Sequence, residues 1–163
     1  MTSSRLPLVV LVGIAAVAGA WLARYLSAEQ VIRRQITSAV EAFENEQLLG
    51  VATVLSRSYQ DQWGMSYESI LGHLQEAMDT FSELQVDLEP PAVEVDGDEA
   101  RVSLRLVVWG TADGERGYVV GSAGSPVTTT GLWRKEAPGW RLVATETLDI
   151  PELREELDSM RSR

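Results

Sequence analysis

The chain contains no cysteine and a single histidine, His73, in 163 residues. A disulfide framework, a thiolate nucleophile and a cysteine-based zinc site are therefore excluded. One histidine also rules out multi-histidine metal centres and leaves all-carboxylate sites, which suit hard cations, yet no Asp/Asn spacing of the EF-hand kind is present. No metal and no cofactor is expected. Basic residues are scarce too: 14 Lys+Arg face 24 Asp+Glu, a formal charge of −10. Arg5 and Arg24 are the only charges before Ser27, so the rest of the chain carries −12 once those two are subtracted from −10. Such a surface repels phosphate backbones and anionic headgroups, which argues against nucleic acid as a partner. With 45% apolar and 23% charged residues the composition is that of an ordinary globular chain, and the length suits one domain of about 100–150 residues plus a targeting segment.

Only one long apolar run exists. Positions 6–23, LPLVVLVGIAAVAGAWLA, hold no charge. Their length reaches the lower end of the roughly 20 apolar residues that a bilayer span needs. Arg5 precedes the run, and Trp21, Arg24 and Tyr25 close it with side chains that favour the membrane interface. Residues 1–26 are read as a transmembrane anchor. The competing reading is a cleaved signal peptide, because Ala18, Gly19 and Ala20 form an A-x-A site. Charge does not decide orientation, since Arg5 and the α-amino group oppose Arg24, Arg33 and Arg34. Acidic domains behind an amino-terminal signal anchor are commonly exported, so a periplasmic or other extracytoplasmic domain is expected.

Beyond the run, Ser27 and Gln30 have capping-box spacing, and apolar residues at helical intervals predict a helix over 28–44. A second helical pattern covers 45–59 and is weakened by Gly50. Ser66 caps a third, in which Tyr67, Ile70, Leu71, Leu74, Met78 and Phe81 follow the i, i+3, i+4, i+7 rule. The period then falls to two. Val86 and Leu88 alternate with polar neighbours, Pro90 and Pro91 interrupt, and Asp96, Gly97 and Asp98 form a turn before a strand over 101–109. A glycine-rich stretch over 110–125 reads as a loop with a short strand at 118–120. Strands over 127–135 and 140–148 follow, joined at Pro138 and Gly139. Residues 27–149 thus form an α+β domain, three helices on a curved antiparallel sheet. Residues 150–163 read as an amphipathic tail helix with Pro151 near its start and Leu153, Leu157 and Met160 on one face.

Two phrases carry a resemblance. The stretch 55–71, LSRSYQDQWGMSYESIL, followed by the long third helix, and the hairpin 131–143, GLWRKEAPGWRLV, resemble the nuclear transport factor 2-like superfamily. That superfamily includes ketosteroid isomerases and polyketide cyclases of the SnoaL type. The resemblance covers residues 28–149 and implies a cone, with helices closing one side of a strongly curved sheet around a pocket. In some members the pocket is catalytic, in others it binds or the domain dimerises. The isomerases use an Asp base with a Tyr/Asp oxyanion hole, and that motif has no residue-by-residue counterpart in this chain.

Several residues are candidates for function, each beside a plainer reading. Strict alternation places Glu146 with Trp140, Leu142, Ala144 and Leu148, so its carboxylate would face apolar surroundings as a general base does; a nearby arginine or the sheet rim would instead leave it in water. Trp63, Trp109 and Trp133 would line a ligand pocket or pack in core and interface. His73 reads as an exposed helix residue. Arg101, Arg105, Arg134 and Arg141 would form an anion-binding face or alternate with acidic side chains across strands. The glycine-rich stretch lacks the strand and helix that phosphate cradling needs, and reads as a mobile loop or docking surface.

These residues predict a non-catalytic, single-span protein, an accessory or scaffolding subunit whose partners are the bilayer and another membrane protein or complex. A binder of a lipid-like or other apolar small molecule is the alternative. An isomerase- or cyclase-like enzyme using a carboxylate such as Glu146 is the third reading.

Overall fold

The computed structural model describes residues 27–149. The anchor expected over 1–26, with Arg5, Trp21, Arg24 and Tyr25, and the tail helix expected over 150–163 lie outside the described residues. Among the described residues no helix is long and apolar enough to cross a membrane.

Helix α1 spans Ala28–Glu44. Ser27 caps it, its hydroxyl accepting the Gln30 amide at 3.4 Å, and Glu29 pairs with Arg33 one turn on at 2.9 Å. Its apolar stripe turns Ile32 and Ile36 into the core. Helix α2 is only Leu48–Ala52, far shorter than the pattern over 45–59 predicts. Two contacts explain its place and length. A Cβ on Gly50 would lie 2.6 Å from the Ala42 Cβ, so only glycine lets α2 approach α1 this closely. After Ala52 the backbone leaves the helix to pair with the last strand: the Leu142 amide donates to the Val54 carbonyl at 2.8 Å, and the Ser56 amide to the Leu142 carbonyl at 2.9 Å. Covering an open sheet edge satisfies those groups, and this tertiary gain overrides weak helix propensity. Helix α3, Tyr67–Thr80, opens on a full capping box in which Ser66 and Ser69 exchange hydrogen bonds of 3.3 and 2.9 Å.

The six strands are β1 Ser82–Leu88, β2 Ala92–Asp96, β3 Glu99–Ala112, β4 Glu115–Val120, β5 Val127–Glu136 and β6 Gly139–Asp149. All pairs are antiparallel, in the order β1-β3-β5-β6, with β2 and β4 also paired to β3. Strand β3 is the axis of the sheet. One of its edges carries β1 and then β2, separated by Pro90 and Pro91, which lack the amide a central strand must donate. The other edge carries β4 and then β5. The expected turn at Gly97 is present, a two-residue loop with φ 61 at its first position.

The stretch 110–125 is mostly sheet rather than loop. Asp113 and Gly114, with φ 52 and 81, form a second two-residue hairpin that turns β3 into β4. An Asp-Gly pair supplies the two positive φ angles such a turn requires, and this was the local signal for the strand pair.

The core is built in three groups. Ile32 and Ile36 of α1 pack with Val54, Ala100, Val102, Trp133 and Trp140, filling the end of the sheet beneath α1. Leu55, Tyr59 and Tyr67 form the second group, and Met78, Leu84 and Val108 the third.

Candidate functional site

The inner face of the sheet, toward the helices, is where a catalytic carboxylate would be needed, and register decides whether one is there. Alternation from Trp140 puts Glu146 inside. Strands β5 and β6 do not keep a constant register, however. Trp133 pairs with Leu142 while Leu132 pairs with Ala144, and Gly131 pairs with Thr145 while Thr130 pairs with Thr147. Val143 and Glu146 are therefore extra residues, two β-bulges, of which the first reverses the facing of Ala144 and Thr145 and the second restores it from Thr147 on. Ala144 consequently lies with Leu132 on the outer face, and Thr145 turns inward.

The Glu146 carboxylate leaves the apolar interior for Arg101 on β3. It accepts from Nε at 2.9 Å and from a terminal guanidinium nitrogen at 3.3 Å. This two-point contact holds the Arg101 guanidinium above its ordinary pKa. Of the two readings of Glu146 the plainer one describes the structure: the bulge and the arginine place it at the water-facing side, its side chain 33% exposed.

The tryptophans occupy three separate environments. Trp133 is buried among Ile32, Ile36 and Trp140. Trp109 lies on the outer face, its indole N–H donating to Asp87 Oδ2 at 2.8 Å and its ring 3.9 Å from that of Tyr118, tilted by 34°. Trp63 sits half-exposed in the turn before α3, its amide donating to Asp61 Oδ1 at 2.9 Å. Trp63, Trp109, Trp133 and Glu146 are thus not brought together into one pocket. His73 is exposed on α3, 3.8 Å from Glu76.

The four arginines do not make an anion-binding face. Arg101, Arg105 and Arg134 pair with Glu146, Glu89 and Glu99 at 2.9, 3.2 and 3.0 Å, and Arg141 donates to the Trp140 carbonyl at 3.0 Å. Each guanidinium on this ladder has a partner within the sheet, so it leaves no concentrated positive field for an incoming phosphate.

A polar node emerges that periodicity does not reveal. Tyr59, 3% exposed, places its hydroxyl 3.1 Å from Asp61 Oδ2 and 2.8 Å from the Thr145 hydroxyl. Burial pushes the Tyr59 phenol pKa up, and the neighbouring Asp61 charge adds to the effect. The other Asp61 oxygen accepts the Trp63 and Met65 amides, both at 2.9 Å, as an Asx turn does. Nearby, buried Ser56 donates to Glu136 Oε1 at 2.9 Å and accepts the Ser58 amide at 3.1 Å. The phenol ties the segment 54–65 to Thr145 of β6, and the serine ties it to Glu136 of β5.

No protein-family model and no curated protein matches the chain in sequence. Solved structures do. A nuclear transport factor 2-like superfamily protein from Salmonella enterica serovar Typhimurium aligns at TM-score 0.63 and 18% identity, covering 76% of this chain and 91% of that one. A nuclear transport factor 2-like protein with a cystatin-like fold from Novosphingobium aromaticivorans aligns at TM-score 0.62 and 18% identity, over 82% and 88% of the two chains. The fold is nuclear transport factor 2-like. A protein of unknown function with a cystatin-like fold from Nostoc punctiforme shares it at TM-score 0.55 and 16% identity, over 75% of this chain and 92% of that one. Identities this low carry the architecture and no activity. Within the nuclear transport factor 2-like fold, the chemistry of this chain has to be read from its own side chains.

Proposed function

We propose that the chain is a non-catalytic, single-span membrane protein whose nuclear transport factor 2-like domain is an accessory or scaffolding subunit of a membrane protein complex. The observation that supports this reading is the diversion of Glu146 to Arg101, which leaves the inner sheet face lined by Val102, Leu104, Thr129, Trp133, Leu142 and Thr145. None of these six side chains is a carboxylate, imidazole or amine able to move a proton at a substrate carbon, and the nearby Asp61 carboxylate is held by the Tyr59 hydroxyl and two backbone amides. The isomerase- or cyclase-like reading loses Glu146 as its candidate base. Much of the interior is occupied by the chain's own indoles, Trp133 and Trp140, as suits a domain that presents surfaces rather than a cavity.

The outer face offers such a surface. Tyr118 is 45% exposed beside Trp109, and aromatic pairs of this kind are favoured anchors for a protein partner. The apolar run 6–23 supports the membrane placement, and the acidic balance of the domain supports the extracytoplasmic side. Gentle detergent extraction followed by native mass spectrometry tests the proposal. Recovery with a second subunit is expected, and recovery as a lone monomer would sink it. Deleting residues 1–26 is expected to release a soluble domain.

A second reading, binding of a lipid-like or other apolar molecule, is favoured by one observation. Leu148, which lies in the inner-face row with Thr129 and Leu104, is 48% exposed. The same mass spectra would then show a small apolar adduct in place of a subunit.

A further inference from the structure

Two bulges converge on one row of the outer face. Constant register from Ser82 opposite Thr111 would set Leu84 beside Trp109, and constant register from Val108 opposite Val120 would set Val119 there. The shift in β1 and the extra residue in β4 send both of those side chains to the core group around Met78 and put Gln85 and Tyr118 beside Trp109 instead. Bulges re-aim side chains in this way. The first bulge also holds Glu83 at φ 52, and its carboxylate accepts the Thr111 hydroxyl at 2.9 Å.

The row is aromatic at its centre and negative around it. Asp87 Oδ2 accepts the Trp109 indole N–H, a neutral donor that leaves the carboxylate charge in place. Neither Asp87 nor Glu83 is in an ion pair among the described residues. Arg116 lies close by, yet it donates to the neutral Gln85 Oε1 at 2.6 Å. Asp113 and Glu115 at the turn between β3 and β4 add further negative charge. Asp87 also lines an open groove of about 520 Å³ with Glu89, Arg105, Val107, Ala123 and Pro126. Glu89 is matched by Arg105 there, which leaves Asp87 as the carboxylate without a counterion.

We propose that this row grips an extended, arginine- or lysine-bearing segment of the partner protein, its cationic head against Asp87 and its stem across the Trp109 and Tyr118 rings. The proposal rests on the reading of the domain as an accessory subunit and names the chemistry of what it meets. Aromatic faces are negative and attract cations, and an unmatched carboxylate beside them adds Coulomb attraction. Nucleic acid and anionic headgroups are repelled by the same charge. A second copy of the chain brings the same carboxylates, and a twofold axis through the row would set Asp87 toward Asp87.

The full chain in a non-ionic detergent, labelled with fluorotryptophan, provides the test. The Trp109 resonance, assigned through Trp109→Phe, should shift saturably with an Arg-Gly repeat peptide. It should not shift with the citrulline counterpart, which keeps the shape and lacks the charge. Asp87→Asn keeps an oxygen for the indole N–H but removes the charge, and should weaken binding by about fivefold or more. Glu94→Gln, an equal loss of charge opposite Arg101 and about 27 Å along β3 from Trp109, should leave binding within about twofold. Equal weakening by the two variants would reduce the effect to the diffuse acidity of the domain and overturn the proposal, as would no shift or an equal shift with citrulline. A resonance that moves with chain concentration alone would assign the row to a second copy, and one that moves only with phosphatidylcholine vesicles would assign it to a lipid headgroup. Either result also overturns the proposal. In native mass spectra, Asp87→Asn combined with Tyr118→Ala should lose the second subunit expected on the parent. A variant that retains it overturns this site and leaves the accessory-subunit reading standing, whereas a parent recovered alone sinks both.

Discussion

The two faces of one sheet are built on opposite principles. The inner face is held by shape: Trp133 and Trp140 interlock with Ile32 and Ile36, and a Cβ on Gly131 would come within 2.5 Å of Leu142 Cδ1. The outer face is held by paired polar groups, with Arg101, Arg105 and Arg134 each matched to a glutamate, Ser103 to Thr130 and Trp109 to Asp87. Close packing transmits any change in volume, whereas exposed ion pairs are weak and screened by salt. Stability therefore resides on the inner side, and freedom to vary or to meet a partner on the outer side.

The sharpest way to break this contrast is to exchange one tryptophan on each face. Trp133→Ala should cost about 3–5 kcal/mol by cavity formation, read as a lower urea midpoint, whereas Trp109→Ala should shift that midpoint far less. Comparable shifts would erase the distinction. Gly131→Ala comes next, at about 1–3 kcal/mol from overpacking against Leu142, and an unchanged midpoint would mean that Leu142 yields freely.

Tyr59→Phe is expected to cost about 1 kcal/mol by leaving Asp61 and Thr145 short of a hydroxyl partner. The same residue gives a pH dependence. Its folded pKa lies above the ordinary value of 10.0, so the folded state holds the proton after the unfolded chain has released it. That contribution is complete below pH 10 and is lost as pH rises through the folded value. Thermal melts should show a smaller alkaline loss of stability in Tyr59→Phe than in the parent, and equal losses would remove Tyr59 as the cause. The smallest effect belongs to Glu146→Gln. It removes an exposed pair and should leave the unfolding midpoint within scatter, most clearly at high salt, where a large shift would make the outer ladder structural.

Much of the fold is legible in the sequence because its signals are local. Ser27 and Ser66 announce α1 and α3, the alternation through 101–109 announces β3, and Gly97 its turn. Where reading fails, distant parts of the chain decide. Residues 53–59 continue a helical pattern but instead pair with β6, an edge that exists only once the sheet has formed. Of β4 only the part over 118–120 was expected, because glycine content masked its start, although Asp113 and Gly114 signalled its turn. On β3 the inward facing of Val102 and Leu104 follows from period two, whereas the placing of the site candidate Glu146 on β6 does not.

By itself the sequence determined the acidic character, the apolar amino-terminal run, the α+β order of elements and the residues able to form a core. Those depend on composition and on neighbours a few positions apart. Only the tertiary structure decided that Val143 and Glu146 bulge out of β6, that the tryptophans part company and that Tyr59 meets Thr145. Strand facing depends on register with a partner strand, and one unpaired residue reverses it until the next one restores it.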